Sequence, residues 1–135
     1  MRGLLLDTSA YSMLQRGHSG VRDALQTADL VYMSPIALGE LHAGFGMGGR
    51  KAENEKRLAR FLESPRVHIA SISGQTALYY AQIVIYLKAA GRPVQTNDIW
   101  IAAGAMERGL QFVTTDSHFL AIPHILIEYY DPLRT

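Results

Sequence analysis

The sequence predicts a three-layer α/β domain with a four- or five-stranded, mainly parallel sheet flanked by helices. Three observations predict it. Short apolar runs alternate with longer stretches of helical periodicity. Those longer stretches carry helix start and stop signals at their ends. No repeat, low-complexity tract or Pro/Gly/Ser linker interrupts the alternation, so residues 1–135 read as one domain. Short strands separated by helices imply βαβ units, and hence strands that run parallel.

The first strand is Gly3–Leu6, an apolar run ending at Asp7, which can cap a helix beginning at Thr8-Ser9. Leu30–Met33 is the second strand. It ends at Ser34-Pro35, where Ser34 suits an N-cap and Pro35 the first helical position, whose N–H has no helical partner anyway. That helix runs to about Phe45 and is broken by Gly44, Gly46, Gly48 and Gly49. The next, about Lys51–Leu62, places Leu58, Phe61 and Leu62 on one stripe, with Lys56, Arg57, Arg60 and Glu63 away from it. Val67–Ala70 is a third strand.

Gly74–Ala90 is a long helix ended by Gly91, with Pro93 just beyond. It is apolar on two sides. Ala77, Tyr80, Ala81, Val84 and Leu87 form one face, and Tyr79, Ile83, Tyr86 and Ala90 form nearly the opposite one. One face meets the core; the other predicts a subunit interface, a partner groove or cover by a neighbouring helix. Asn97 or Asp98 opens the next helix, which runs to about Arg108 and stops at Gly109. Phe112–Thr114 is a strand leading to Asp116, and Ile125–Glu128 is the last.

Composition narrows the chemistry. With 48% hydrophobic and 19% charged residues the chain is globular. The absence of cysteine excludes disulfides, thiolate metal sites, a Cys nucleophile and Fe–S clusters. No apolar run approaches the roughly 20 residues of a membrane helix, and the N-terminal run is too short for a signal peptide, so a cytoplasmic protein with no membrane partner is expected. Thirteen Lys and Arg against twelve Asp and Glu give a net charge of +1, which by itself argues neither for nor against nucleic acid. The segment Gly48–Arg66 is locally basic, six cations against three glutamates. It is either a basic face or a solvated amphipathic helix.

Four acids fall at informative places. Asp7 ends the first strand, Glu40 lies in the first turns of a helix, Asp98 sits at a helix N-terminus and Asp116 follows a strand. Ligands of open α/β sheets bind outside the carboxyl ends of the strands, where Asp7 and Asp116 must lie. Each acid alone has a bland explanation: Asp7 and Asp98 as N-caps, Asp116 as a turn residue, Glu40 as a solvent-facing side chain. Together they are informative. Two like charges about 4 Å apart cost roughly 4 kcal/mol at an effective dielectric of 20, so a cluster survives by protonation or by binding a cation. An oxygen-only donor set suits Mg²⁺ or Mn²⁺, and such sites serve displacement at phosphorus. Without these four acids the remaining balance is 13 basic to 8 acidic residues, or +5, which suits a polyanionic substrate.

These residues resemble a known family. Leu4-Leu5-Leu6-Asp7-Thr8-Ser9-Ala10-Tyr11 resembles the opening motif of PIN domains. Ser34-Pro35-Ile36-Ala37-Leu38-Gly39-Glu40-Leu41 resembles their second acidic motif, Asn97-Asp98-Ile99-Trp100-Ile101-Ala102-Ala103 the third, and Thr114-Thr115-Asp116-Ser117-His118-Phe119 the fourth. The resemblance covers nearly the whole chain in the family's order. In length it is similar to the VapC-type toxins of toxin–antitoxin pairs.

The resemblance implies a PIN-like fold and a Mg²⁺- or Mn²⁺-dependent endoribonuclease. It places Asp7, Glu40, Asp98 and Asp116 in the catalytic and metal-binding site, with Asp7 and Asp98 as the principal ligands. Glu40 and Asp116 would bind metal directly or through water. Thr114, and with it Thr8 and Ser9, would support the carboxylates. The basic residues Arg50, Lys51, Arg57 and Arg60 would follow the RNA backbone. A homodimer and a small cognate antitoxin, whose tail lies across the groove, are the implied partners. Thr115 departs from the larger polar or basic residue common in relatives.

Other readings are weaker. A dehalogenase-type phosphatase needs a second Asp where Ser9 stands. A phospho-receiver needs a late lysine, and the last one is Lys88. No Walker A loop is present. A non-catalytic RNA- or protein-binding module remains as the alternative. His118, two residues after Asp116, could bind phosphate or a metal but is rather expected to be a satisfied structural histidine, and His42 is expected to be no ligand. Tyr11 is expected to pack near the site, and Trp100 to fill the core. The pair Tyr129-Tyr130 fits either an interface or a cover.

Overall fold

The computed structural model describes residues 1–134. Five strands, β1 (Gly3–Leu6), β2 (Leu30–Met33), β3 (Val67–Ile69), β4 (Gln111–Thr114) and β5 (Leu126–Tyr129), form one sheet in the order β3-β2-β1-β4-β5. Every neighbouring pair is parallel, with Leu5 opposite Tyr32 and Phe112 on its two sides. The expected α/β architecture with a mainly parallel sheet is therefore observed. Burial explains the central strand: Leu4, Leu5 and Leu6 are wholly enclosed because helices cover both faces of the sheet.

Six α-helices flank the sheet: α1 (Thr8–Gln15), α2 (Ser19–Gln26), α3 (Pro35–Met47), α4 (Lys51–Glu63), α5 (Gly74–Ala90) and α6 (Thr96–Arg108). A short 3₁₀ helix spans Ser117–Ala121. Among the described residues no helix is long and apolar enough to cross a membrane. Ser34 caps α3 through Ile36 N–H, with Pro35 in its first turn. Gly91 and Gly109 close α5 and α6 in the left-handed conformation, at φ +66° and +63°, which only glycine adopts without strain.

The differences from the sequence-based expectation are local. The sequence predicts only a helix capped by Asp7 between Asp7 and Leu30, and the structure places two eight-residue helices there. The second is hidden in the sequence because its cap is His18. Its Nδ1 accepts from Val21 N–H at 3.3 Å, and its Nε2 lies 2.9 Å from the Asp131 carbonyl, the pattern of an Nε2–H tautomer. α3 passes through Gly44 and Gly46 to Met47 instead of stopping near Phe45. α6 opens at Thr96, ahead of Asn97 and Asp98.

β3 ends at Ile69, although Ala70 N–H still bonds to the Met33 carbonyl at 2.8 Å. β4 begins one residue earlier than expected, and β5 both starts and ends one residue later.

α5 does not bury either expected face whole. Its fully buried row is Thr76, Ile83 and Leu87, with Tyr79, Tyr80 and Val84 half-buried beside it. Ala77, Leu78, Ala81, Ile85 and Tyr86 are left exposed. α5 packs chiefly on α6. There Trp100 stacks on Tyr80 at 4.1 Å, half-buried between the two helices, so it does not fill the core. Tyr11 is buried, as expected, and meets Phe61 edge-on at 5.4 Å.

Candidate active site

The carboxyl ends of β1 and β4 open onto a cavity of about 510 Å³. Its wall carries all four acids: Asp7 just beyond β1, Glu40 from α3, Asp98 from the first turn of α6, and Asp116 just beyond β4. Thr8, Ser9, Gln95 and His118 add polar groups, and Pro93, Val94, Ile101 and Phe119 supply apolar wall. β1 and β4 are neighbours in the centre of the sheet, which is why acids 109 positions apart in the chain share one rim (116 − 7).

Asp7 is the most enclosed of the four, 2% exposed. Its Oδ1 caps α1 by accepting from Ala10 N–H at 2.8 Å. Ser9 Oγ donates at 2.9 Å, and Thr114 Oγ1 donates to Oδ2 at 2.7 Å. Burial raises its pKa to about 6, against the lowering effect of the Thr114, Ala10 and Ser9 bonds; the charge of Asp116 raises it further. Asp7 is therefore a helix cap and a cavity-wall acid at once, because the capping carboxylate faces the cavity.

Asp98 is also pushed up to about 6. Burial is the largest cause, followed by the charges of Asp116 and Glu40, with His118 opposing. Glu40 Oε1 accepts from Thr8 Oγ1 at 2.6 Å, and Asn97 Nδ2 reaches its Oε2 at 3.5 Å. Asp116 caps the 3₁₀ turn through His118 N–H at 2.9 Å and pairs with His118 Nδ1 at 2.8 Å. Its own N–H donates to Thr114 Oγ1 at 2.9 Å.

Thr114 therefore joins Asp7 to the Asp116 loop, and Ser9 Oγ joins the same network by accepting from Thr115 N–H at 3.1 Å. Each of Thr8, Ser9 and Thr114 touches a carboxylate or its loop.

Two features escape the sequence. His118 is satisfied by Asp116, yet its side chain is 79% exposed on the cavity wall. The segment Pro93–Gln95 forms another wall. No spacing signals it, because α5 against α6 decides where that connection passes. The tie from Asn97 to Glu40 has a faint signal, adjacency to Asp98. Of the basic residues, Arg50 and Arg57 line a second groove separate from the acids, whereas exposed Lys51 and Arg60 line neither. His42 binds Glu55 at 2.7 Å between α3 and α4, away from the cavity.

The donor set suits a hard divalent cation. Four oxygen donors face one cavity, and two are held protonatable near neutrality by burial and like charge, a state a cation relieves. Among the described residues, no three His, Asp or Glu side chains are arranged to hold a metal ion by themselves. Mg²⁺ does not require that, since it keeps several waters and is bound through one or two carboxylates.

A profile of the PIN domain matches residues 4–125. The chain belongs to the PIN-domain family. Ribonuclease VapC5 of Mycobacterium tuberculosis is 30% identical to it over 118 residues, 87% of this chain and 86% of that protein. Among solved structures it is similar to VapBC2 from Rickettsia felis bound to a DNA fragment from the promoter. That chain shares a TM-score of 0.82 and 25% identity, over 96% of this PIN domain and 99% of the other chain. DNA-bound VapBC from Salmonella typhimurium gives 0.80 and 28%, over 96% and 98%. The acid-lined cavity of this PIN domain draws on every one of the four motifs that carry the resemblance.

Proposed function

We propose that this PIN domain is a divalent-metal-dependent endoribonuclease, the toxin of a toxin–antitoxin pair, and that Asp7, Glu40, Asp98 and Asp116 are its working acids. The observation that carries the reading is the convergence of four carboxylates from four separate elements on one cavity. Relatives named as VapC ribonucleases, and neighbours that are VapBC complexes, support the activity and the small cognate antitoxin as partner.

Asp7 and Asp98 are the groups we assign as those that would hold Mg²⁺ or Mn²⁺, with Glu40 and Asp116 assisting directly or through water. When bound, the ion supplies Lewis acidity at the phosphoryl oxygen and lowers the pKa of a coordinated water. The protein does the rest. Thr114 and Ser9 fix the Asp7 carboxylate by donating to it. Thr8 holds Glu40 in one orientation. Glu40 or Asp116 accepts the proton of the attacking water, whose oxygen forms a bond to phosphorus as the P–O bond to the leaving nucleotide breaks and the departing oxygen takes up a proton from solvent. His118, beside Asp116, restrains that carboxylate. The work is done in the cytoplasm, where RNA is met, by a homodimer assembled through the exposed apolar residues of α5.

The test is incubation of the purified chain, freed of any partner, with total cellular RNA in Mn²⁺ or Mg²⁺ against EDTA, with Asp98→Asn as control. Discrete metal-dependent fragments absent from the variant are expected. A folded protein that cleaves nothing and gains no stability from either ion would instead be a binding module.

A further inference from the structure

Most polar groups in the wall of the acid cavity are already engaged with one another. Thr8 donates to Glu40, and Ser9 donates to Asp7. The carboxylates themselves are acceptors, suited to a cation and its waters. Besides the acids, two wall groups keep polar atoms without a partner among the described residues: the Gln95 amide, which makes no cap bond to α6, and His118 Nε2.

His118 is the better fixed of the two. Asp116 Oδ1 accepts from its backbone N–H at 2.9 Å and lies 2.8 Å from its ring Nδ1. A ring nitrogen beside a carboxylate carries its proton there, so Nδ1 is the N–H that binds Asp116 and the ring is held in one direction. Nε2 is then the free edge of a ring that lines the cavity. The same ring stands close enough to Asp98 for its charge to oppose the upward push on that carboxyl. His118 is thus beside two of the four acids, at the place where a reacting phosphodiester would sit.

A cation with its activated water acts on any phosphodiester, in RNA or in DNA. Selection of RNA therefore needs a group that meets the sugar. The 2′-hydroxyl is carried on the ribose carbon next to the one that bears the 3′-oxygen, so it flanks the cleaved bond in every RNA sequence. It both donates and accepts. It can pair with Nε2 whether or not that nitrogen carries a proton, whereas a phosphate oxygen only accepts and needs the charged ring.

We propose that His118 Nε2 reads the ribose 2′-hydroxyl of a nucleotide flanking the cleaved bond, and that this contact makes the acid site select RNA over DNA. The proposal rests on the ribonuclease reading. It gives His118 a contact with substrate in addition to its restraint of Asp116.

The test uses a short RNA spanning a cut mapped in the digest of total RNA. It is made wholly of ribonucleotides, or with a single 2′-deoxynucleotide on the 5′ or the 3′ side of the cut. Wild type and His118→Asn cleave each in Mn²⁺. The asparagine amide can stand where Nδ1 stands, so it keeps a donor for Asp116 and deletes Nε2. Wild type is expected to lose roughly 3- to 10-fold in kcat/KM on one of the two deoxy substrates, the scale of one hydrogen bond. His118→Asn is expected to cleave the all-ribose substrate about as slowly as that, and to lose nothing further from the deoxy substitution. A residue that only held Asp116 would slow all three substrates by one factor and leave the deoxy loss in place.

Equal deoxy losses in the two proteins, or no deoxy loss in wild type, would overturn the reading of the sugar; cleavage of the all-ribose strand then leaves the ribonuclease reading standing. A product ending in a 2′,3′-cyclic phosphate makes the hydroxyl the attacking group and overturns the proposal as well. A wild type that cleaves no RNA in Mn²⁺ or Mg²⁺ overturns both. If His118→Asn is too slow to follow on any substrate, binding of the all-ribose strand and its all-deoxy counterpart in EDTA decides. Loss of a wild-type preference for ribose supports the proposal, and a preference that the variant keeps overturns it.

Discussion

Thr114 donates its hydroxyl proton to Asp7 Oδ2 across 2.7 Å while accepting from the Asp116 N–H at 2.9 Å. One wholly buried side chain on β4 thus sets the position of two acids that leave different strands. Thr114→Val keeps the shape and removes both bonds. We expect a loss of about 1–3 kcal/mol in stability and a fall in kcat of roughly 10- to 100-fold, the scale seen when a group supporting a metal ligand is lost. Steady-state cleavage of a defined RNA checks it, and an unchanged kcat would show that Asp7 needs no such support.

Asp7→Asn should abolish cleavage yet stabilise the metal-free protein. Holding a carboxyl at about 6 instead of 3.8 corresponds to about 3 kcal/mol at neutral pH, and the amide removes most of that burden. Thermal melts in EDTA at pH 7.5 should show the variant melting above wild type. A variant that melts lower would mean that the Ser9, Thr114 and Ala10 bonds outweigh burial.

The same groups set a pH dependence. Asp7 and Asp98 have folded-state values raised above their ordinary one, so the folded protein binds their protons more tightly than the unfolded chain does. Their contribution to stability is fully present below about pH 4 and is lost as pH rises through about 6. The advantage of Asp7→Asn over wild type should accordingly be small at pH 4.5 and larger at pH 7.5. An advantage that is flat across this range contradicts the raised value.

Metal should act in the opposite direction to pH. At a hundred times its Kd, Mg²⁺ or Mn²⁺ is expected to stabilise wild type by about 2.7 kcal/mol, with no effect on Asp98→Asn. Differential scanning fluorimetry with and without EDTA reads this directly. Equal shifts in both proteins would place the ion elsewhere.

α5 leaves Leu78 and Ile85 at 59% and 69% exposure, seven residues apart on one side of the helix. Leu78→Glu/Ile85→Glu should shift a dimer toward monomer in sedimentation velocity at micromolar concentration, without lowering the melting temperature of the monomer. A wild type that sediments as a monomer removes the basis for a dimer through this face.

Much of this protein is legible in the chain itself. Strands, caps and stops are local, because a buried strand is an apolar run and a helix end needs a cap or a glycine; Ser34-Pro35, Gly91 and Gly109 therefore announce themselves. So do acids placed just after apolar runs: Asp7 and Asp116 both reach the wall of one cavity. α2 is hidden because a histidine caps it, and the buried row of α5 is obscured because packing on α6 buries Ile83 from one apolar side and Leu87 from the other.

Tertiary structure alone decides the strand order, which sets β4 beside β1 and so brings Thr114 to Asp7 across 107 positions. It alone puts His118 on the cavity wall, parts Arg50 and Arg57 from Lys51 and Arg60, and buries the Tyr11 hydroxyl without a partner among the described residues. The physical reason is range: periodicity records which side of an element is apolar, while contacts between elements depend on how those sides pack against one another.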